Sequence, residues 1–484
     1  MSELFATLRT AAGALSAFQS ALTVTQANVV NASTPGYVVQ TQQLEAMTLD
    51  PTQGLAGGVR ATAVLSARNT YAEQAVQSAV TSLGTWEQQV SVLQPLQTNF
   101  DISGQSGIPG ALNQLFQSFA TWGASPNDST TRQSVLVAAQ SVAQAFQQES
   151  AAVTQASTNA DTQLRSLVDK INNLAGQLQQ DNVQQASNNT PDPALDANVY
   201  NTLEQLSEIA PITALKQADG SLTVLLAGQT PLVIGQFQYK LSSGIGVPSN
   251  PPPTYPSAPP SAQVFDSAGN DITSQITQGQ LGGLLQARNG ILAQLQGSSS
   301  QQGSLNQLAQ TIADRVNALL TSGNIKDADP VAGTPAVPGV PLFTYDPTNP
   351  TSIAKTLTVD PNVTADQLAA IDPGPPEVAN GIPLKLANLS APQNPADQIN
   401  GVSYTEFYGS IAGNLGQAIA SAQTNQTTNQ SLVTQARNLR QQASGVDLNQ
   451  EALKVLQFQR SYDAAAKMVT VIDELTQTVV NMIS

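Results

Sequence analysis

The chain has no cysteine and no histidine among its 484 residues. Those two absences remove disulfides, thiolate metal sites, cysteine nucleophiles, histidine-based zinc motifs and every triad that needs an imidazole base. Only carboxylate chemistry and oxygen-ligated Mg²⁺ or Ca²⁺ sites survive the exclusion. Charge is scarce as well: 11% of residues are charged, against about 25% in ordinary soluble domains. The 18 Lys and Arg are scattered singly among 33 acids, giving a net charge of −15. A phosphate-tracking groove or an anionic membrane surface calls for clustered basic side chains, so neither nucleic acid nor membrane is expected as a partner. No run reaches about 18 consecutive apolar residues, so no transmembrane helix is expected. The opening segment lacks a basic stretch followed by an uninterrupted apolar one, and no cleaved signal peptide is expected.

Gln, Asn, Ser, Thr and Ala fill the space that charge leaves. With 40% hydrophobic residues the chain can still build cores, and its length suits about three domains at roughly 150 residues each. Near the N-terminus, Leu4, Leu8, Ala11, Leu15, Phe18, Leu22, Thr25 and Val29 alternate steps of four and three, the spacing of a coiled-coil seam. A helix over residues 3–30 would be about 40 Å long at 1.5 Å per residue. At the other end, Ala465, Met468, Ile472, Leu475, Val479 and Met482 repeat the alternation, and Ala452, Val455, Tyr462, Ala466 and Val469 widen the face. Asp447 suits the N-cap of that helix, with Gln450 three residues on, so the helix is expected to begin near Leu448 and run almost to Ser484.

Each stripe has few large residues, padded with Ala and Thr. Burying one Leu-sized side chain stabilises by roughly 1.5–3 kcal/mol, while ordering costs about 1–2 kcal/mol per residue in backbone entropy. Two readings stay open on pattern alone: an ordinary antiparallel helix pair within one domain, or termini that order only on assembly with further copies.

The first stripe stops at "VVNASTPGYVV", residues 29–39. Pro pre-sets φ at the second position of a turn and Gly supplies φ > 0 at the third, so residues 34–37 suit a type II turn. Residues 37–66 read as extended, with "GGVRATAVLSA" the best strand. Helix period returns over 69–98, broken at Pro95, and a long polar helix is expected over 131–180, with Val135, Val142, Phe146, Leu164, Leu167, Ile171, Leu174 and Leu178 on its face. From Ile212 the period is two, and Asp219-Gly220 and Ala227-Gly228 between β-prone runs signal hairpins. Residues 246–260 form a Pro-rich linker or loop. Helices resume over 279–320. The stretch 325–400 is rich in Pro, Asp and Gly, with short strands expected at "PLFTY" and "KTLTV", and a helix returns over 404–442. The β material is thus inserted into a helical chain whose ends pair.

No constellation for catalysis, metal or cofactor stands out. Asp473 and Glu474 are adjacent on a helix and diverge, and Glu451, Asp447 and Asp473 read as caps and solvated edges. No Lys-Ser or Lys-Thr follows the glycines of "GQLGGLL", so they make no phosphate loop. The chain is expected not to be an enzyme.

The N-terminal stretch resembles the signature of the flagellar axial proteins of rod, hook and hook-filament junction, through Asn28, Asn31, Thr34, Pro35, Gly36 and Tyr37. The C-terminal stretch resembles the end shared by that family, through Ser444-Gly445-Val446-Asp447-Leu448 and Gln459-Arg460-Ser461-Tyr462. "TRQSVLVAAQSVAQAFQQ", "ADGSLTVLLAGQTPLVIG" and "GQLGGLLQARNGILAQLQ" resemble its hook-associated, junction-forming branch. One departure is "NVYNTLEQLSEIA", where the family has an Asp-Arg-Asp run. That points to an altered local salt bridge.

The resemblance implies a mainly α, elongated, multi-domain axial protein with inserted β structure. Its terminal helices would pair as a coiled-coil inner domain (1–60 with 445–484), next to a long-helix bundle domain (61–210, 272–324 and 401–444). A β-rich outer domain (211–271) and a Pro-rich insertion (325–400) would complete it. It further implies a structural adaptor at the extracellular junction of hook and filament, exported unfolded by the flagellar type III route. The implied partners are copies of itself, hook protein, the next hook-associated junction protein, and a cytoplasmic chaperone covering the C-terminal helix. Leu453, Leu456, Phe458, Tyr462, Met468, Ile472 and Leu475 are the expected chaperone contacts. Hook or distal rod protein is the alternative within the family; an exported enzyme or an adhesin on an axial scaffold is the alternative outside it.

Overall fold

The computed structural model describes residues 2–50, 55–187, 192–217, 220–247, 251–327 and 334–483; the side chains of 2–4, 49, 50, 55, 56 and 483 are not described. Along the chain run α1 (Ser2–Val30), β1 (Gln40–Asp50), β2 (Leu55–Ser66), α2 (Thr70–Leu93), α3 (Gly107–Ala124), α4 (Ser129–Ser187) and α5 (Pro193–Ile209). A β-rich stretch follows: β3 (Ile212–Lys216), β4 (Leu222–Leu226), β5 (Thr230–Ile234), β6 (Phe237–Gln238), β7 (Ser242–Gly246) and β8 (Ser261–Phe265). Then come α6 (Gly279–Gln286), a π-helical turn (Ala287–Leu292), α7 (Ala293–Gln296) and α8 (Ser304–Ser322). The next stretch holds β9 (Asn324–Lys326), β10 (Val337–Pro338), β11 (Phe343–Thr344), α9 (Ile353–Thr356), β12 (Thr358–Val359) and α10 (Gly381–Ala387). The chain closes on α11 (Tyr404–Ser444) and α12 (Leu448–Ile483). The protein is mainly helical with small antiparallel sheets, as its sequence leads one to expect.

These elements form two compact units, each built from separated segments. The first comprises the chain up to Leu83, Ile171–Tyr239 and everything from Thr428. The second comprises Gly84–Lys170 and Lys240–Thr427. The stretch 211–271, which its period of two marks as one β-rich domain, is divided between them. In the first unit β3–β6 form a four-stranded meander pinned to α4 by Asn182, whose amide takes the N–H of Leu222 and donates to the carbonyls of Leu222 and Gly235 at 2.7–2.8 Å. The β7–β8 hairpin belongs to the second unit, where Asn289 bonds both backbone groups of Ala262. Residues 334–400 are packed into the second unit as well: Asn317 of α8 accepts from the N–H groups of Leu342 and Phe343 and donates to the carbonyl of Phe343, all at 2.8 Å.

In the first unit β1 and β2 make a long antiparallel hairpin with a bulge between Gln42 and Leu44. Between β4 and β5, Ala227 and Gly228 both have positive φ (49° and 72°), and the N–H of Gln229 bonds the carbonyl of Leu226, a type I′ turn matched to the strand twist. Asp219, half of the other expected hairpin signal, lies outside the described residues.

The second unit closes on large side chains. Ile108, Leu112, Leu115, Phe119, Trp122 and Phe146 are fully buried. Within it Glu149 of α4, only 3% exposed, accepts a hydrogen bond from the Tyr408 hydroxyl, while its Oε2 is buried without a protein partner. Burial pushes the Glu149 carboxyl up to about 8, against the opposing effect of the Tyr408 bond.

Candidate functional site

The site is the place where the terminal helices meet and the chain turns away from them. α1 and α12 pack along each other. Asn28, near the end of α1, bonds Glu451, in the first turn of α12, so the two run antiparallel.

The side chains that close this pair are small. Ala11, Ala17, Ala21, Thr25 and Asn28 of α1 are buried, as is Ala465 of α12. The expected seam residues Leu8, Leu15, Phe18 and Leu22 are only half-covered, Val29 is exposed, and the Leu4 side chain lies outside the described ones. β2 shares the cover of α1: the Thr10 hydroxyl reaches the carbonyl of Gly57 at 3.4 Å, and a Cβ on Gly58 would lie 2.8 Å from Thr10 Cγ2. On α12 the covered line passes through Glu451, Val455, Phe458, Tyr462, Ala465, Val469, Ile472, Thr476 and Val479, in strict steps of four and three.

Of the other expected seam residues, Met468, Leu475 and Met482 are exposed. Among the seven expected chaperone contacts, Phe458, Tyr462 and Ile472 are half-covered on the α1 side. Leu453, Leu456, Met468 and Leu475, with Val471, are exposed on the other side, each more than half open. α12 therefore carries two apolar lines, and a single copy of the chain covers one.

At the end of α1 the backbone turns as the residue types dictate. The Tyr37 N–H bonds the Thr34 carbonyl at 3.1 Å, with Gly36 at φ 77° in the third position, the geometry of a type II turn. The Asn31 amide donates to Ala27 O, and its Oδ1 accepts from the Thr34 hydroxyl. Asn28 is fully buried with all its bonds made: it donates to Gln40 O and Glu451 Oε2 and accepts from Gln40 N and the Tyr37 hydroxyl, all at 2.8–2.9 Å. Burial, and secondarily the charge of Glu451, raise the Tyr37 phenol above its ordinary value. Glu451 is 1% exposed, which corrects its reading as a solvated edge; it is the acceptor that ties the two ends of the chain, with Lys454 on its other oxygen at 2.7 Å. Asp447 caps α12 through bonds from the N–H groups of Asn449 and Gln450.

A buried ion network holds the outer side of the turn. Arg68 donates to the carbonyl of Gly36 at 2.7 Å, to Asp196 at 2.7 and 2.9 Å and to Glu73 at 2.5 Å. Its guanidinium lies 3.8 Å over the Tyr200 ring, a cation–π contact. Glu73 also receives Arg440 at 3.2 Å, and Arg440 and Arg437 of α11 both donate to Glu204 of α5. Burial pulls the Arg440 pKa down, but Glu204 and Glu73 outweigh it and hold it above the ordinary value. Three guanidinium groups thus face three carboxylates, and the cluster is neutral. Ser444, at the end of α11, closes the junction by accepting from the N–H of Val39 through its carbonyl and from that of Asn69 through its hydroxyl.

The sequence reading missed Arg68, Glu73, Asp196, Arg437 and Arg440. The departure at "NVYNTLEQLSEIA" was the one pointer, since that segment supplies Tyr200 and Glu204.

The arrangement positions chain. Among the described residues no three acids gather as a metal site, and no helix is long and apolar enough to cross a membrane. Asp473 and Glu474 are both exposed on α12.

Residues 93–335 match the family described as flagellar hook-associated protein FlgK helical domain. The chain belongs to the FlgK family. Residues 8–37 match the flagella basal body rod protein family and residues 435–482 the C-terminal family of flagellar basal body rod FlgEFG proteins, so the two segments that meet at the site are those shared with other axial flagellar proteins. The chain is 26% identical to flagellar hook-associated protein 1 of Bacillus subtilis, over 99% of both chains. It is 27% identical to flagellar hook-associated protein 1 of Salmonella typhimurium, over 65% of this chain and 56% of that one. The solved flagellar hook junction protein FlgK from Burkholderia pseudomallei shares the fold, with a TM-score of 0.63, 15% identity, and coverage of 76% of this chain and 99% of that one.

Proposed function

We propose that this FlgK-family chain is a structural component of the bacterial flagellum, an adaptor that polymerises between hook and filament. The observation that carries this reading is the bare apolar line of α12. Large apolar side chains exposed along one helix face mark an interaction site, and at this one a second copy would supply the cover that α1 does not. The buried knot of Asn28, Glu451, the turn and Arg68 would fix the angle at which each copy presents its terminal helices. Hook protein would lie on one side of the assembled ring and the next hook-associated protein on the other.

Before assembly the same line of α12 needs cover. A cytoplasmic export chaperone on Leu453, Leu456, Met468 and Leu475 would supply it, and the flagellar type III route would deliver the chain outside the cell. In this reading the chain is not an enzyme and takes no cofactor; the paired termini form the inner domain and the remainder the outer ones.

Electron microscopy of a deletion strain, with flagellin assayed in the medium, tests the proposal. Hooks without filaments and shed flagellin are expected. Absent hooks would move the protein to hook or rod, and intact filaments would refute the assembly role.

A further inference from the structure

The second unit contains an open cleft of about 500 Å³ between α4, the segment preceding β8, the π-helical turn and α9. Its charged lining consists of Arg165, Arg288, Lys355 and Asp161, a net positive patch in a chain of net charge −15. Arg165 and Lys355 are exposed and make no ion pair among the described residues. Arg288 is 3% exposed and held rigidly: Nε and Nη2 donate to Asp161 at 2.9 and 3.3 Å, and Nη2 also donates to Pro260 O at 2.8 Å. Its Nη1 has no partner among the described residues.

The uncharged lining has its own polarity. Ser150, Thr154, Thr158 and Thr162 form one ridge of α4 along the cleft. The Thr154, Thr158 and Thr162 hydroxyls each donate to the carbonyl four residues back. A hydroxyl has one hydrogen and two lone pairs, so these three are left as acceptors. In the wall, Gln296 is 7% exposed; its Oε1 accepts from Ser157, and its Nε2 is buried with no partner.

We infer that the cleft binds a small hydroxylated polyanion, a sugar bearing carboxylate or phosphate groups. A bare inorganic anion would use the cations and leave the threonine acceptors idle. A neutral sugar would use the threonines and leave Arg165, Lys355 and Nη1 of Arg288 unmatched. A sugar acid or sugar phosphate has both kinds of group, and the cleft is large enough for a ring with its substituents. This site is separate from the terminal helices and does not depend on their role.

Isothermal titration of the full-length protein with digalacturonate, glucose 1,6-bisphosphate and neutral galactobiose tests the inference. At least one anionic sugar is expected to bind with a Kd below about 1 mM, and which one binds tells carboxylate from phosphate. Arg165→Ala and Lys355→Ala, both at exposed positions, are expected to weaken it about tenfold each, as loss of a charge-assisted bond would. Thr158→Phe, which fills the cleft from an exposed position, is expected to abolish binding with the melting temperature unchanged. Absence of binding by both anionic sugars, equal binding of galactobiose, or indifference to the Arg165 and Lys355 changes would overturn the proposal.

Discussion

The second unit and the paired terminal helices bury different kinds of side chain. In the second unit the fully buried side chains include the large ones of Ile108, Leu112, Leu115, Phe119, Trp122 and Phe146. On α1 and α12 the buried residues are Ala11, Ala17, Ala21 and Ala465, followed by Thr25, Asn28 and Glu451, while Leu453, Leu456, Met468 and Leu475 stay outside. Each large apolar side chain left in water forgoes roughly 1.5–3 kcal/mol of burial. In the proposed function the exposed apolar side chains of this helix pair are left for another surface. The two units also differ in how they treat a buried acid: Glu73 of the first is engaged by two arginines, whereas Glu149 of the second has one hydroxyl and an orphaned oxygen.

The largest expected effect comes from breaking the knot. Arg68→Ala leaves Glu73 and Asp196 short of their shared cation and Gly36 O without its donor, and removing one partner of a buried pair costs about 3–5 kcal/mol. Thermal unfolding of the variant should show the first unit melting earlier while near-ultraviolet signals from Trp122 hold; a loss confined to the second unit would break the comparison.

Next in size is Gly36→Val. The added Cβ would lie 2.2 Å from Ala197 O, on a backbone at φ 77°. Strain and overpacking together should cost roughly 2–4 kcal/mol, and motility should fail; normal swimming with a wild-type melting temperature would show that the turn is dispensable.

A smaller, pH-dependent effect belongs to Glu149. Burial raises its carboxyl to about 8 in the folded chain, above the ordinary glutamate value of 4.5. The folded state therefore holds the proton more tightly, and the stability this contributes is complete below about pH 4.5 and is lost as pH rises toward 8. Glu149→Gln, neutral throughout, should remove that part of the decline. Parallel melting curves from pH 5 to 8.5 for wild type and variant check it, and an unchanged slope would show that Glu149 is ionised throughout.

Much of this molecule was legible before folding. The helix limits of α1, α11 and α12 follow from long runs of apolar period and from the breakers that end them, whereas α4 continues to Ser187, past the expected end at 180, because its last turns are polar. The turn at residues 34–37 follows from Pro35 and Gly36 alone. The face that α12 buries was harder to read, because two apolar lines wind along the same helix and spacing does not say which one α1 covers. On α1, expectation followed the large residues, but close approach of backbones selects the small ones. The ion network was illegible for a different reason. Arg68 lies beside Glu73 in sequence, but Arg440 reaches Glu73 across 367 residues and Arg68 reaches Asp196 across 128. Single charges in a charge-poor chain carry no pattern, and only the fold gathers them.

In the proposed function the exposed line of α12 serves assembly and not the fold of one chain. Leu475→Asp, alone and with Leu453→Asp, separates the two roles, with melting temperature and filament growth measured side by side. An unchanged melting temperature for the isolated chain and loss of filaments on the cell are expected. Filaments of normal number and length in the double variant would contradict it.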